Sequence, residues 1–197
     1  MIWFDGPDLN EPREREFIVA MREAAEGGAF LGVDWDDTVF DRLAEPSGPG
    51  IAIGLAVPKL TTQQRWLLVS YEPGPDKAAP MLQSGWASEA ALTTEPGAYD
   101  GPSSYNYLWV SGIDASPTEC AAWAANWISR QLQRPVIRRE WDQPASGPGA
   151  GLLGRARTAA AIEWWLADPE EYLDSRGTFG RWRLTRQPPA RQVHERP

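Results

Sequence analysis

Four aspartates in one short segment are the residues best suited to chemistry: Asp34, Asp36, Asp37 and Asp41. Closely spaced carboxylates can bind a metal ion, meet a basic protein surface, or place negative charge at the start of a helix. The helical interpretation makes Asp34 the N-cap of a short helix, with Asp36 and Asp37 in its first turn and the following apolar side chains packed inward. The spacing alone leaves these three roles open.

The segment that contains these aspartates is Ala29-Phe-Leu-Gly-Val-Asp-Trp-Asp-Asp-Thr-Val39, an apolar run followed by Asp-x-Asp-x-Thr-Val. Over these 11 residues it resembles the first motif of the haloacid dehalogenase superfamily. The resemblance implies a phosphohydrolase in which Asp34 takes up a phosphoryl group, Asp36 acts as general acid and base, and both help to hold Mg²⁺. It also implies that the apolar run before Asp34 is a strand of a doubly wound parallel sheet, with Ser70 and Lys77 as the nearest matches to the later motifs.

Most other catalytic mechanisms lack a necessary residue. His194 is the only histidine and lies in a polar, proline-containing end of the chain, so a Ser-His or Cys-His pair has no general base and a zinc site has no ligand set. Cys120 is the only cysteine, and its place on the apolar stripe of a predicted helix indicates a packed thiol. No glycine-rich phosphate loop is present. The interpretation that we favour therefore has no catalytic residue, no bound metal and no cofactor.

Two strand-like segments combine arginine with tryptophan, Arg138-Arg-Glu-Trp141 and Arg181-Trp-Arg183. Such a surface suits an acidic partner or a planar ligand, because Arg and Trp make cation–π contacts and are enriched at interface hot spots. The alternative is a pair of ordinary half-exposed strands. The predicted binding residues are Arg138, Trp141, Arg181, Trp182 and Arg183.

The charge of the chain limits its partners. Its 19 basic and 27 acidic residues give a net charge of −8, which argues against nucleic acid or an anionic membrane and favours a basic partner. No segment approaches the ~20 apolar residues of a membrane span, and the amino terminus lacks the pattern of a signal peptide. We expect a cytoplasmic protein, and its preference for arginine over lysine is typical of GC-rich bacterial genomes.

Two classes of function remain. The favoured one is a non-catalytic soluble interaction protein, such as an acidic inhibitor or an immunity-like partner of a basic protein. The alternative is a Mg²⁺-dependent, haloacid dehalogenase-like phosphohydrolase that uses Asp34 and Asp36.

The 11 tryptophans are scattered along the chain, as expected for residues that mostly fill a core.

The clearest structural pattern is a strand, a capped helix and a second strand between Tyr105 and Trp141. Ser116-Pro-Thr-Glu119 supplies an N-cap hydroxyl, a proline at the first helical position and a glutamate that can reach back to the cap. Apolar residues then recur at steps of three and four, so the helix has one buried face. That face is predicted to include Cys120, Trp123, Ala124, Trp127, Ile128 and Leu132.

Similar patterns place the remaining elements. Helices are predicted at about 11–26, with Asn10 as N-cap, and at 117–133. The fold is predicted to be α+β, with a twisted, mainly antiparallel sheet and the two helices packed on one face; a parallel α/β fold is the alternative. Residues 1–186 are predicted to form a single α+β domain and residues 187–197 a disordered tail. Strands are predicted at 51–57, 66–71, 81–86, 136–141, 161–167 and 181–185, with a helical turn at 168–171.

Overall fold

The computed structural model describes most of the chain. The described residues are 2–43, 50–63, 65–74, 79–88, 108–142, 159–167, 170–177, 189 and 191–195. They form two helices, α1 (Pro12–Glu26) and α2 (Pro117–Leu132), and nine strands. The strands are β1 (Thr38–Arg42), β2 (Ile51–Ala56), β3 (Trp66–Glu72), β4 (Met81–Ala87), β5 (Leu108–Val110), β6 (Val136–Asp142), β7 (Ala159–Leu166), β8 (Glu171–Gly177) and β9 (Arg191–Glu195).

Every pair of neighbouring strands in the described residues is antiparallel. The strands form a five-stranded sheet in the order β1-β2-β3-β4-β5 and a four-stranded sheet in the order β8-β7-β6-β9. Two principal helices with antiparallel sheets make an α+β fold, which confirms the predicted class. The strands β5 and β6 flank α2 in sequence yet belong to different sheets, because cross-strand packing decides which strands pair.

The chain divides into two compact units. The first, Met1–Arg134, contains both helices and the five-stranded sheet, and the second, Pro135–Arg196, contains the four-stranded sheet. The formation of a single domain by residues 1–186 stays a prediction, because a division into compact units does not show whether either unit folds alone.

Both helices of the first unit pack on the same face of its sheet. The ring of Phe17 on α1 lies against the ring of Tyr71 on β3. The side-chain oxygen of Gln131 on α2 accepts a hydrogen bond of 3.1 Å from the indole Nε1 of Trp86 on β4. Tyr71 pairs with Leu82, four residues before Trp86, so Tyr71 and Trp86 point to the same side of the sheet. The predicted packing of the two helices on one face is therefore confirmed.

The opposite face of β2 is made of small residues. They are Ala52, Gly54 and Ala56, which alternate with the large residues that face the helices. All six residues of β2 are buried. The alternation of large and small residues in the sequence therefore reflects a strand that is buried on both faces.

Helix α1 begins slightly later than predicted. Its N-cap is Glu11, whose side chain accepts a hydrogen bond from the backbone N–H of Arg13, so the predicted cap at Asn10 is wrong. Pro12 occupies the first helical position, where no intrahelical N–H bond is lost. Beyond the helix, Gly28 has a φ of 84°, a conformation that glycine adopts without steric strain.

Helix α2 begins at the predicted capping box. The hydroxyl of Ser116 accepts a hydrogen bond of 3.2 Å from the backbone N–H of Glu119, and the Glu119 carboxylate accepts one of 2.9 Å from the backbone N–H of Ser116. Trp127 is buried as predicted, whereas Trp123 is 36% exposed. The buried stripe extends to Ala125 on one side of the helix, which places Trp123 at its other border.

The C-terminal part of the chain differs from the prediction in two places. Glu171 begins β8 and does not continue a helical turn from residue 168, which lies outside the described residues. Residues 191–195, predicted as part of a disordered tail, form β9 and pair with β6. An edge strand can pair through its backbone hydrogen bonds without apolar side chains. The polar composition of residues 191–195 therefore gives no sequence signal for β9. The strand predicted at 161–167 is confirmed as β7, and the one at 181–185 lies outside the described residues.

Candidate functional site

The predicted acidic segment forms a tight turn immediately before β1. We call Asp34, Trp35, Asp36 and Asp37 the acidic turn. Trp35–Asp37 is a single 3-10 turn, in which the backbone N–H of Asp37 donates to the carbonyl of Asp34 at 3.0 Å. One carboxylate oxygen from each aspartate lies within 4.8 Å of the others, and all three side chains are exposed. The turn therefore concentrates three negative charges at one point of the surface.

A buried threonine joins the acidic turn to the N-terminal segment. The hydroxyl of Thr38 donates a hydrogen bond of 2.6 Å to the carbonyl of Trp35 and accepts one of 3.1 Å from the backbone N–H of Phe4. Phe4 is fully buried, and its ring lies edge-on to the ring of Phe30, with centroids 6.0 Å apart. The backbone beneath the carboxylates is therefore anchored in the core, which holds the three charges together.

Apolar side chains are exposed in and near the acidic turn. Leu31 is 80% exposed and Trp35 is 40% exposed. Val39 is also exposed, on the same side of β1 as the exposed Asp41. An exposed tryptophan beside charged groups has the composition of an interface hot spot.

The backbone before the acidic turn differs from what the haloacid dehalogenase resemblance implies. Residues 29–32 form a turn and not a strand, and Gly32 has a φ of 86°. The described strands of this unit pair antiparallel, whereas the resemblance implies a parallel sheet. Ser70 lies inside β3 and not at its end, and Lys77 lies outside the described residues. The structural expectations of that resemblance are therefore not met in this part of the chain.

The helix-cap interpretation places Asp34 at the correct position, but the expected cap hydrogen bond is not formed among the described residues. Asp34 precedes the 3-10 turn as its N-cap, but its side chain makes no cap hydrogen bond within the described residues. The turn passes directly into β1 at Thr38. Of the next apolar residues, Phe40 is buried as predicted, whereas Val39 is exposed, because successive residues of a strand point to opposite faces.

The predicted binding residues Arg138 and Trp141 do not share a surface. They lie three positions apart in β6, so their side chains point to opposite faces of the four-stranded sheet. Trp141 is also buried. The other predicted binding residues, Arg181, Trp182 and Arg183, lie outside the described residues, and their role stays a prediction.

Arg138 belongs to an ion-pair network between β6 and β9. We call Arg138, Glu140, Arg191 and Glu195 the charge ladder. The Nη1 atom of Arg138 lies 2.8 Å from Oε1 of Glu195, and its Nε lies 3.0 Å from Oε1 of Glu140. The other oxygen of Glu140, Oε2, lies 3.0 Å from Nε of Arg191. Each charge of the ladder has a partner of opposite sign, so the ladder connects two strands within the chain.

The cation–π contact expected from the Arg and Trp residues is made by Arg139, which lies in the predicted segment but is not one of the predicted binding residues. Its guanidinium carbon lies 5.1 Å from the centre of the Trp165 ring, and its Nη2 lies 3.0 Å from Oε2 of Glu170. The indole Nε1 of Trp165 donates a hydrogen bond of 3.0 Å to Oε2 of Glu163. The register of β6 with β7 brings Arg139 near Trp165, and a single sequence does not show that register.

Buried ionisable groups lie on α1, α2 and β3 of the first unit. Burial raises the pKa of the Tyr71 hydroxyl to about 12 and the pKa of the Cys120 thiol to about 11, and the nearby guanidinium of Arg13 partly opposes both shifts. A thiol with this pKa is protonated at neutral pH and is a weak nucleophile. The complete burial of Cys120 confirms the prediction of a packed thiol.

No family model matches this chain, and no curated protein or solved structure matches it either. No helix in the described ranges is long and apolar enough to cross a lipid bilayer. Among the described residues, the acidic turn offers a concentrated set of exposed charges.

Proposed function

We propose that this protein is a non-catalytic interaction protein whose acidic turn binds a basic surface of a partner protein. The observation that carries the proposal is the convergence of three exposed carboxylates within 4.8 Å. Within the described part of the chain, no arginine or lysine forms an ion pair with any of them. Their charge is therefore available to a partner.

The chemistry of the acidic turn favours an arginine or lysine side chain of the partner. Like charges held this close repel one another, and a cation placed among them relieves that repulsion. A guanidinium group can bond two carboxylate oxygens at once, which makes arginine the better fit. The exposed ring of Trp35 adds an aromatic surface on which such a cation can lie.

The net charge of the chain supports the same class of partner. A charge of −8 steers a basic protein towards the surface and speeds association at low salt. An acidic inhibitor or an immunity-like protein, which covers a basic site on another protein, fits this pattern. Binding is expected to weaken as salt is added, because exposed charges are screened over about 10 Å at 0.1 M salt.

A charge-neutralising variant with a matched control tests the proposal. The variant replaces all three aspartates of the acidic turn by asparagine, and the control removes three exposed charges elsewhere, at Glu23, Glu26 and Asp114. Binding of a labelled arginine-rich peptide, measured by fluorescence anisotropy, should weaken about tenfold more in the variant than in the control. Trp35→Ala should weaken binding without changing the net charge. Equal weakening in variant and control contradicts the proposal, because only net charge then matters.

A Mg²⁺-dependent phosphohydrolase of haloacid dehalogenase type is the second candidate. One observation favours it: the same three carboxylates lie close enough to share a cation, and Asp34 and Asp36 belong to the motif. The turn at residues 29–32 argues against it, because the resemblance implies a strand there. The interaction protein is therefore the stronger proposal.

Two measurements separate these candidates. The interaction proposal expects no Mg²⁺-dependent release of phosphate from a panel of phosphate esters. It also expects Asp34→Asn to fold with nearly unchanged stability, because the Asp34 side chain makes no cap hydrogen bond and asparagine suits that position about as well. If the wild-type chain releases phosphate and Asp34→Asn does not, the interaction proposal is wrong and the phosphohydrolase is the better interpretation.

A further inference from the structure

The C-terminal strand β9 is attached to its sheet with little apolar burial. It lies at the edge of the four-stranded sheet, where its described partner is β6. Four of its five side chains are exposed, and its one apolar residue, Val193, is 37% exposed. Apolar burial therefore contributes little to the free energy that keeps β9 paired with β6, because the hydrophobic free energy scales with the apolar area removed from water.

The neighbouring strand β6 is held in the sheet by other contacts. It pairs with β7 along its whole length, from Val136 to Asp142. The side chains of Val136, Ile137 and Trp141 are buried. Departure of β9 would leave the pair of β6 and β7 in place, so β6 would then present an open edge.

The charge ladder fixes where β9 lies along β6. Arg191 of β9 is opposite Glu140, and Glu195 of β9 reaches Arg138. These two charges of β9 are four positions apart and lie on the same face of the strand. The three side chains between them are exposed. A segment that pairs with the edge of β6 is therefore recognised by its backbone hydrogen bonds and by two charges four positions apart.

We infer that the edge of β6 is a strand-addition site, now covered by β9, whose partner is an extended protein segment with a basic residue four positions before an acidic one. An open strand edge pairs with an extended chain through its backbone N–H and C=O groups. Arg138 and Glu140 then select a segment whose charges complement them, as β9 does. In this arrangement β9 is an internal competitor. The site shares no residue with the acidic turn, so it stands whether or not the acidic turn binds a partner.

A labelled peptide with the sequence of residues 189–197 is the probe for this edge. In the variant Arg191→Glu/Glu195→Arg, repulsion from Glu140 and Arg138 weakens β9, whereas β6 keeps its own residues. Fluorescence anisotropy should show the peptide binding this variant about tenfold more tightly than the wild-type chain, because the competitor is weaker. The same peptide with its two ladder charges exchanged should bind the variant about tenfold more weakly than the unaltered peptide. Equal affinity of the two peptides, or binding of neither, overturns the proposal.

Hydrogen exchange on the wild-type chain tests the same site if the variant does not fold. The backbone amides of β9 should exchange about tenfold faster than those of β7, because β9 opens without unfolding of the sheet. Equal exchange rates of β9 and β7 overturn the proposal. The chain with asparagine at all three aspartates of the acidic turn is the control, and it should exchange as the wild type does. The exchange rates of β9 therefore test the strand-addition site independently of whether the acidic turn binds a partner.

Discussion

The ring of Phe17 on α1 stacks on the ring of Tyr71 on β3, with centroids 4.4 Å apart and planes inclined by 3°. Both side chains are fully buried. Because β3 is the central strand of the five-stranded sheet, this stack joins the first helix to the middle of the core.

Removal of this ring should strongly destabilise the chain. Phe17→Ala should lower the free energy of unfolding by about 3–5 kcal/mol, because it removes buried apolar surface and leaves a cavity. The control is Val19→Ala, at an exposed position of the same helix, which should change the free energy of unfolding by less than about 0.5 kcal/mol. Urea unfolding followed by far-UV circular dichroism measures both. Similar losses in the two variants would contradict the observed packing of α1.

The capping box of α2 should contribute measurably to stability. Ser116→Ala removes the hydroxyl that accepts the Glu119 backbone N–H, and it should cost about 1 kcal/mol in urea unfolding. Ser116→Asn keeps an acceptor at the cap and should be nearly neutral. An equal loss in both variants would show that the hydroxyl acts through another contact.

The same cap should make stability depend on pH. Hydrogen bonds from the backbone and the hydroxyl of Ser116 lower the pKa of Glu119 below 4.5. An acid with a lowered pKa in the folded chain stabilises the fold above its unfolded pKa, and this contribution is lost as the pH falls through the folded value. Glu119→Ala should therefore destabilise the chain at neutral pH and much less in acid. A loss that is the same at both pH values would exclude the carboxylate as its source.

Glu14 should have the opposite effect, because it is a buried acid in the first turn of α1. Burial raises the pKa of its carboxyl above 4.5, while Arg42 lowers it and Glu11 raises it further. An acid with a raised folded pKa destabilises the fold at higher pH, and this penalty disappears below the unfolded pKa. Glu14→Gln should raise the melting temperature at neutral pH but not in acid, with the exposed Glu23→Gln as the charge control. A lower melting temperature at neutral pH would show that the contact with Arg42 outweighs burial.

Cys120 should react with thiol reagents only as the chain unfolds. Its side chain is fully buried, and burial raises its pKa to about 11, so neither access nor thiolate is available at neutral pH. Labelling by a disulfide reagent should accelerate in urea in parallel with the loss of circular dichroism. Rapid labelling of the native chain would contradict the packed position of the thiol.

Local patterns in the sequence predict where helices begin but not which strands pair. Ser116 and Glu119 are three residues apart, so the pattern of the cap is enough to place the start of α2. The strands β5 and β6 have equally clear local patterns, yet the sheet that each joins depends on residues distant in sequence. The described residues therefore form two sheets, where the local patterns suggest one.

The candidate site shows the same limit. The spacing of the three aspartates identifies the acidic turn, but its anchoring depends on the bond between Thr38 and Phe4, which are 34 residues apart. The contact of Arg139 with Trp165 depends on the register of two strands. Arg191 lies in a polar segment whose composition predicts disorder, because edge-strand pairing leaves no hydrophobic pattern.

Glu140 pairs with both Arg138 and Arg191, so its loss removes two ion pairs, whereas loss of Arg191 removes one of these and leaves Glu140 paired with Arg138. When Glu140 is lost, Arg138 keeps Glu195 as a partner, but its Nε loses the carboxylate that faces it in a partly buried position, which is costly. Across related sequences, position 191 should therefore drift between basic and polar residues, while positions 138 and 140 should change together. Such paired substitution during evolution would reveal the link between the two positions without any coordinates.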